Sequence, residues 1–137
     1  MIEIQEVNIK SLELKVNQFN SFISNILISE KKTEGDIVLI FCSDEYLLEI
    51  NKKHLNHNYY TDIITFDYCL ENIVSGDLYI SIDRVKENAK TFNDSFINEL
   101  SRVVIHGVLH LCGYNDKTEA DQKNMRNLEN KYLAMNK

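Results

Sequence analysis

Apolar positions along the chain follow two periods, and the changes between them mark out the elements. Residues 2 to 8 alternate Ile2 and Ile4 with polar neighbours and lead into β-branched Val7 and Ile9, which predicts a first strand. Val16, Phe19, Phe22, Ile23, Ile26 and Leu27 then recur three and four apart, so an amphipathic helix is expected to about Ser29. Leu12 and Leu14, just before it, alternate as a strand would. Lys31 to Asp36 reads as a polar turn around Gly35. Ile37 to Cys42 is an unbroken β-branched and aromatic run, the pattern of a central strand covered on both faces. Ser43 is placed to cap the next helix, with Asp44 and Glu45 in its first turn and Leu47, Leu48 and Ile50 on its apolar side. That helix is expected to fray near Asn51 and give way to a polar loop, Lys52 to Tyr60.

The second half changes period again. Ile64 and Phe66 alternate with Thr65 and Asp67, which predicts a strand over Asp62 to Tyr68. Ser75 and Gly76 mark a turn, Asp77 to Ile80 a further strand, and the short connection a hairpin. Ser81 caps a helix to about Phe92, and Asp94 caps a longer one. On the longer helix Phe96, Leu100, Val103, Val104, Val108 and Leu111 form the buried stripe, with His106 and His110 along its edge. Thr118 and Asp121 approximate a capping box for a last helix with Met125, Leu128 and Tyr132 on its apolar face. Met125, Glu129 and Leu133, at i, i+4 and i+8, read as a core-facing seam with a polar edge. The order of elements implies an α+β fold: one domain over residues 1–137, with a small mixed sheet of about four strands packed with about five helices.

Composition narrows the class without naming a function. Hydrophobic content of 44% and charged content of 26% belong to a water-soluble globular chain. The longest apolar run, Ile37 to Cys42, is too short for a bilayer, and the N-terminus has no signal-peptide core, so no membrane partner and a cytoplasmic location are expected. Three widely spaced cysteines, Cys42, Cys69 and Cys112, make no disulfide framework. A net charge of −6 argues against broad, sequence-independent binding to nucleic acid but leaves room for a local basic groove.

The candidate chemistry sits in His106 to Asp116, which reads HGVLHLCGYND. A step of four on a helix brings His106 and His110 to neighbouring points of one face. Gly113 falls where the helix should stop, and a chain folding back after it can bring Asp116 to the two imidazoles. Two nitrogens and a carboxylate oxygen suit one divalent transition ion, most simply Zn2+, and three protein ligands leave a position open for chemistry. Cys112 follows His110 by two and should point away from that face, so it is assigned to packing. Gly107 occupies the place where a zinc protease carries its glutamate base. Inside a helix it costs about 1 kcal/mol relative to Ala, which close approach of another backbone would explain.

Read with the segments around it, the motif resembles the YbeY endoribonuclease and rRNA maturation factor family. The matching pieces are Asn51, Thr61-Asp62-Ile63-Ile64-Thr65-Phe66, Gly76-Asp77, the motif itself, and Met125 with Glu129. The resemblance implies zinc-dependent hydrolysis of single-stranded RNA phosphodiesters by a metal-activated water, with His106, His110 and Asp116 as catalytic metal ligands. It implies precursor rRNA and the small ribosomal subunit as partners. It also places His54, His57 and Asp62 beside the site as substrate-side candidates, and Arg102 is taken as a fourth. Two positions depart from the family pattern. The usual third ligand is histidine and here is Asp116, whose charge partly neutralises the ion and should acidify its water less. An arginine implicated in cleavage is replaced by Leu55, so Lys52, Lys53, Arg84 or Arg102 must supply the cation or activity is weak. Two rival readings follow: a ribosome-associated RNA-binding protein with a mainly structural metal, and a zinc peptidase with a base from outside the motif.

Overall fold

The computed structural model describes residues 1–10 and 18–135. Its elements run β1 (Ile2–Val7), α1 (Gln18–Ser29), β2 (Thr33–Cys42), α2 (Asp44–Leu55), β3 (Ile63–Asp67), β4 (Ile73–Ser81), α3 (Ile82–Thr91), α4 (Phe96–Leu111) and α5 (Glu119–Met135). The four strands form one sheet in the order β1-β2-β4-β3, parallel except for β3, which runs antiparallel to β4 at the edge. This is the expected α+β domain with four strands and five helices. The readings placed on Leu12, Leu14 and Val16 lie outside the described residues.

Side-chain alternation along the strands divides the core in two. Ile37, Leu39 and Phe41 of β2 and Leu78 and Ile80 of β4 face α1, α4 and α5 in the larger cluster. Cys42 and Ile64, with Tyr79 partly buried, face α2 on the other side. Burial of one Leu or Ile from water contributes about 1.5–3 kcal/mol, so this double coverage explains why β2 reads as a continuous apolar run.

Four boundaries differ from the sequence reading. Lys31 to Asp36 is not a turn throughout, because β2 begins at Thr33 and pairs with Ile73 and Val74 before a bulge between Glu34 and Ile37. Its polar side chains mask a strand end that lies near the surface. Ser75 and Gly76 lie inside β4, where Gly76 pairs with Asp67 and Ile37. The hairpin turn lies earlier, closed by Leu70 and Ile73 with Glu71 at a φ of 53°. Helix α2 continues to Leu55 and ends on a left-handed Asn56, so His54 is helical. Finally, Ser95 rather than Asp94 caps α4, its hydroxyl accepting from the Asn98 N–H at 3.1 Å, while Asp94 accepts from the Asn98 side chain.

Helix α4 crosses the sheet over β3 and β4, and two glycines set how close it lies. A Cβ on Gly107 would stand 2.7 Å from Ile63 Cδ1 and 3.1 Å from both Leu78 methyl carbons. One on Gly76 would stand 2.5 Å from the Phe66 carbonyl oxygen and 2.8 Å from Leu111 Cδ2. Gly107 is thus required by apolar side chains of the sheet, not by another backbone. Leu100, Val104 and Val108 are fully buried on this helix, which leaves the next face, with His106 and His110, at the rim.

Candidate metal centre

Helix α4 ends at Leu111, and Gly113, at a φ of 106°, turns the chain back. The Gly113 and Tyr114 N–H groups bond to the carbonyls of His110 and Leu109. This return brings Asp116 to the two histidines. His106 Nε2 and His110 Nε2 lie 3.0 Å apart, and Asp116 Oδ2 is 3.3 Å from each. Four ligands about 2.0–2.1 Å from a tetrahedral centre lie about 3.3 Å from one another, so this triangle fits one face of such a centre. Among the described residues, these three form the group able to hold a metal ion.

The ring protons support the same reading. His110 Nδ1 lies 2.9 Å from the Tyr114 carbonyl oxygen, which can only accept, so Nδ1 carries the proton. His106 Nδ1 lies 2.9 Å from Glu129 Oε2 and donates to that carboxylate. In neutral rings both Nε2 atoms are then bare and face the Asp116 carboxylate. Three lone pairs converging at this distance repel one another unless positive charge lies between them. The donor set therefore fits a divalent transition ion.

Glu129 stands directly behind His106, and the motif's spacing alone did not single it out. It is 6% exposed, and its Oε1 accepts from Arg102 Nη1 at 3.1 Å. Arg102 Nη2 in turn donates to Asn130 Oδ1 at 3.0 Å. Burial alone would raise the Glu129 pKa, but hydrogen bonds from His106 and Arg102 outweigh it and hold the carboxyl below its ordinary range. For His106, burial acts downward, while the hydrogen bond and charge of Glu129, then Asp116 and Asp62, carry the net shift upward. A sequence signal did exist: a glutamate on the seam between Met125 and Leu133 needs a buried partner. The Tyr114 carbonyl, a backbone group, left none. That turn is fixed by the Tyr114 hydroxyl, which donates to Glu30 Oε1 at 2.6 Å, and by Gln122, whose amide donates to the Asp116 carbonyl oxygen.

Two hollows open beside the cradle. One, of about 470 Å3, lies among α3, α4 and α5 and is lined in part by Asp62, Arg102, His106, Asp116, Arg126 and Glu129. The other, of about 490 Å3, is lined by Thr61, Asp62, Thr65, Asp67 and the three cradle residues, together with Ile63. Asp62 borders both, and burial lifts its carboxyl pKa against the pull of His106. His54 and His57 line neither. His54 meets the Phe66 ring edge-on, and exposed His57 stacks on Tyr59 and shares a 3.0 Å hydrogen bond with its hydroxyl.

A family model described as Endoribonuclease YbeY matches residues 2–137. The chain belongs to the YbeY endoribonuclease family. It is 52% identical over 117 residues to the endoribonuclease YbeY of Flavobacterium johnsoniae, covering 85% of this chain and 84% of that protein. It is 47% identical over 134 residues to the one from Bacteroides thetaiotaomicron, covering 98% of each. The solution structure of a Thermotoga maritima protein superimposes with a TM-score of 0.70 at 29% identity, over 97% of this chain and 88% of that one. Of the segments that carry the YbeY resemblance, Ile63 and Gly76 lie beneath α4, Asp62 at the cradle's edge and Glu129 behind His106, while Asn51, in α2, donates to the Tyr59 carbonyl and lines neither hollow. Leu55 lies exposed at the end of α2 and lines neither hollow. Of the cations weighed for its place, Lys52 and Lys53 border a separate hollow with Tyr46 and His54. Arg84 is held at 2.7 Å by Asp44.

Proposed function

We propose that this chain is a zinc-dependent endoribonuclease that hydrolyses single-stranded RNA during rRNA maturation. The observation that carries the metal is the convergence of His106 Nε2, His110 Nε2 and Asp116 Oδ2 within 3.3 Å of one another, with each ring's Nδ1 engaged by Glu129 or Tyr114. Family membership supports an RNA substrate; precursor rRNA in the context of the small ribosomal subunit is our proposal, and the two open hollows leave space for a strand beside the cradle. A divalent ion there supplies Lewis acidity at the phosphoryl group and lowers the pKa of water. His106, His110 and Asp116 hold it. Glu129 fixes the ring orientation and tautomer of His106, and Arg102 keeps Glu129 ionised. Asp62, which lines both hollows and whose carboxyl pKa burial raises, is our candidate for proton exchange with substrate. His54 and His57, outside both hollows, take no part. No helix among the described residues is long and apolar enough to cross a membrane.

The decisive experiment is cleavage of a structured rRNA fragment with single-stranded ends by zinc-loaded wild type and His110→Ala, prepared identically. Cutting by wild type and background levels in the variant are expected. Equal cutting by both would mean a contaminant. Cutting by neither would favour an RNA-binding protein whose metal is structural.

A further inference from the structure

The two hollows flanking the cradle differ in chemistry. The one against β3 offers Thr61, Thr65, Asp62 and Asp67, with neither a Lys or Arg nor a Phe, Tyr or Trp. The cleft among α3, α4 and α5 offers both kinds of group. Phe92, at the C-cap of α3, is on its wall and 65% exposed, although a ring of that size normally joins the core. Arg126, on α5, shares that wall with a side chain 60% exposed. It lies 3.9 Å from Glu129 Oε1, beyond hydrogen-bond reach, and that carboxylate already binds Arg102 and His106. Unlike Arg84 and Arg102, which hydrogen-bond to carboxylates, Arg126 makes only this longer ion pair to Glu129 among the described residues and keeps N–H groups for a ligand. Asn88 and Gln122 add two amides to the lining.

An aromatic face, an open guanidinium and amide groups in a cleft that also contains His106 and Asp116 match the parts of one nucleotide. Bases stack on aromatic side chains irrespective of sequence, and arginine pairs with phosphate. The cleft, of about 470 Å3, is on the scale of pockets that hold small ligands. The carboxylates Asp62, Glu99, Asp116 and Glu129 also line the cleft, so a phosphate there depends on Arg102, Arg126 and a bound metal to offset them. We propose that this cleft holds a nucleotide next to the cleaved position, with its base on Phe92 and a phosphate on Arg126. The inference rests on the reading that the site acts on RNA, and it gives the strand a side: across α3, α4 and α5, away from Leu55.

The test is the affinity of the metal-loaded protein for a labelled single-stranded 2′-O-methyl oligoribonucleotide, by fluorescence anisotropy over a salt series. Phe92→Ala is expected to weaken binding by about five-fold or more, the loss typical of a stacking aromatic, and Phe92→Trp to restore it. Arg126→Ala is expected to weaken binding and to lower the slope of log affinity against log salt by about 0.7, one phosphate contact on a single strand. Lys52→Ala, on the separate hollow, should match wild type. Melting temperature should not move in any variant, because all three positions are exposed, and metal content should not move in the Phe92 and Lys52 variants. If wild type binds and the Phe92 and Arg126 variants bind equally well, the cleft assignment is overturned while the RNA reading stands. If wild type does not bind the oligonucleotide, both are overturned.

Discussion

The buried carboxylate of Glu129 joins the His106 ring and the Arg102 guanidinium into one unit. It receives the Nδ1 proton of His106 on one oxygen and Arg102 on the other. Replacing a partner of a ligating histidine typically costs about 10–100-fold in metal affinity. Glu129→Gln keeps an acceptor for Nδ1 but removes the charge, and a loss within that range is expected by competition with a zinc indicator. The pH dependence should move as well. A proton on His106 excludes the metal, so affinity falls as pH drops through the metal-free pKa of this histidine. Glu129 raises that pKa above its ordinary 6.5, so in Glu129→Gln the fall should begin at lower pH. NMR titration of His106 in the metal-free protein checks the sign directly. At this scale the sequence displayed the donors but not their tautomers, because proton positions depend on Glu129 and Tyr114 contacts made only after folding.

Helix α4 is the element that positions the centre, and it is held at both ends by different means. At its start the Ser95 hydroxyl accepts the Asn98 N–H. At its finish the left-handed Gly113 ends the helix and sends the chain back to Asp116. Loss of a serine cap costs about 1 kcal/mol. Ser95→Ala should therefore lower the unfolding free energy by that amount, moving the urea midpoint down, and leave zinc affinity unchanged, since His106 lies three turns away. Urea denaturation with zinc titration tests both halves. The helix and its apolar stripe were legible because sixteen residues carry one period; the choice between Asp94 and Ser95 as cap was not, because both residue types cap well and only backbone geometry separates them. Likewise, Ser75-Gly76 has turn composition, yet Gly76 lies in β4 because Leu111 and the Phe66 carbonyl leave no room for a Cβ.

For the whole molecule, the core and the centre are separable. The apolar clusters on both faces of the sheet form without the three ligands, which lie at the rim of α4 and in the following turn. Removing metal with a chelator should leave the far-ultraviolet circular dichroism of a folded protein and lower the melting temperature. A ligand at a hundred times its dissociation constant stabilises by about 2.7 kcal/mol, so the temperature should return on adding zinc. Loss of secondary structure on chelation would instead favour the structural-metal reading. The sequence by itself determined the element types, the α+β class and the three donors, because hydrophobic period, capping chemistry and a histidine step of four are local properties. Only the tertiary structure decided that Glu129 buttresses His106, that His54, His57 and Leu55 stand apart from the cleft, and that Arg126 and Phe92 face it. Those relations join residues far apart in the chain, and packing of α3, α4 and α5 brings them together.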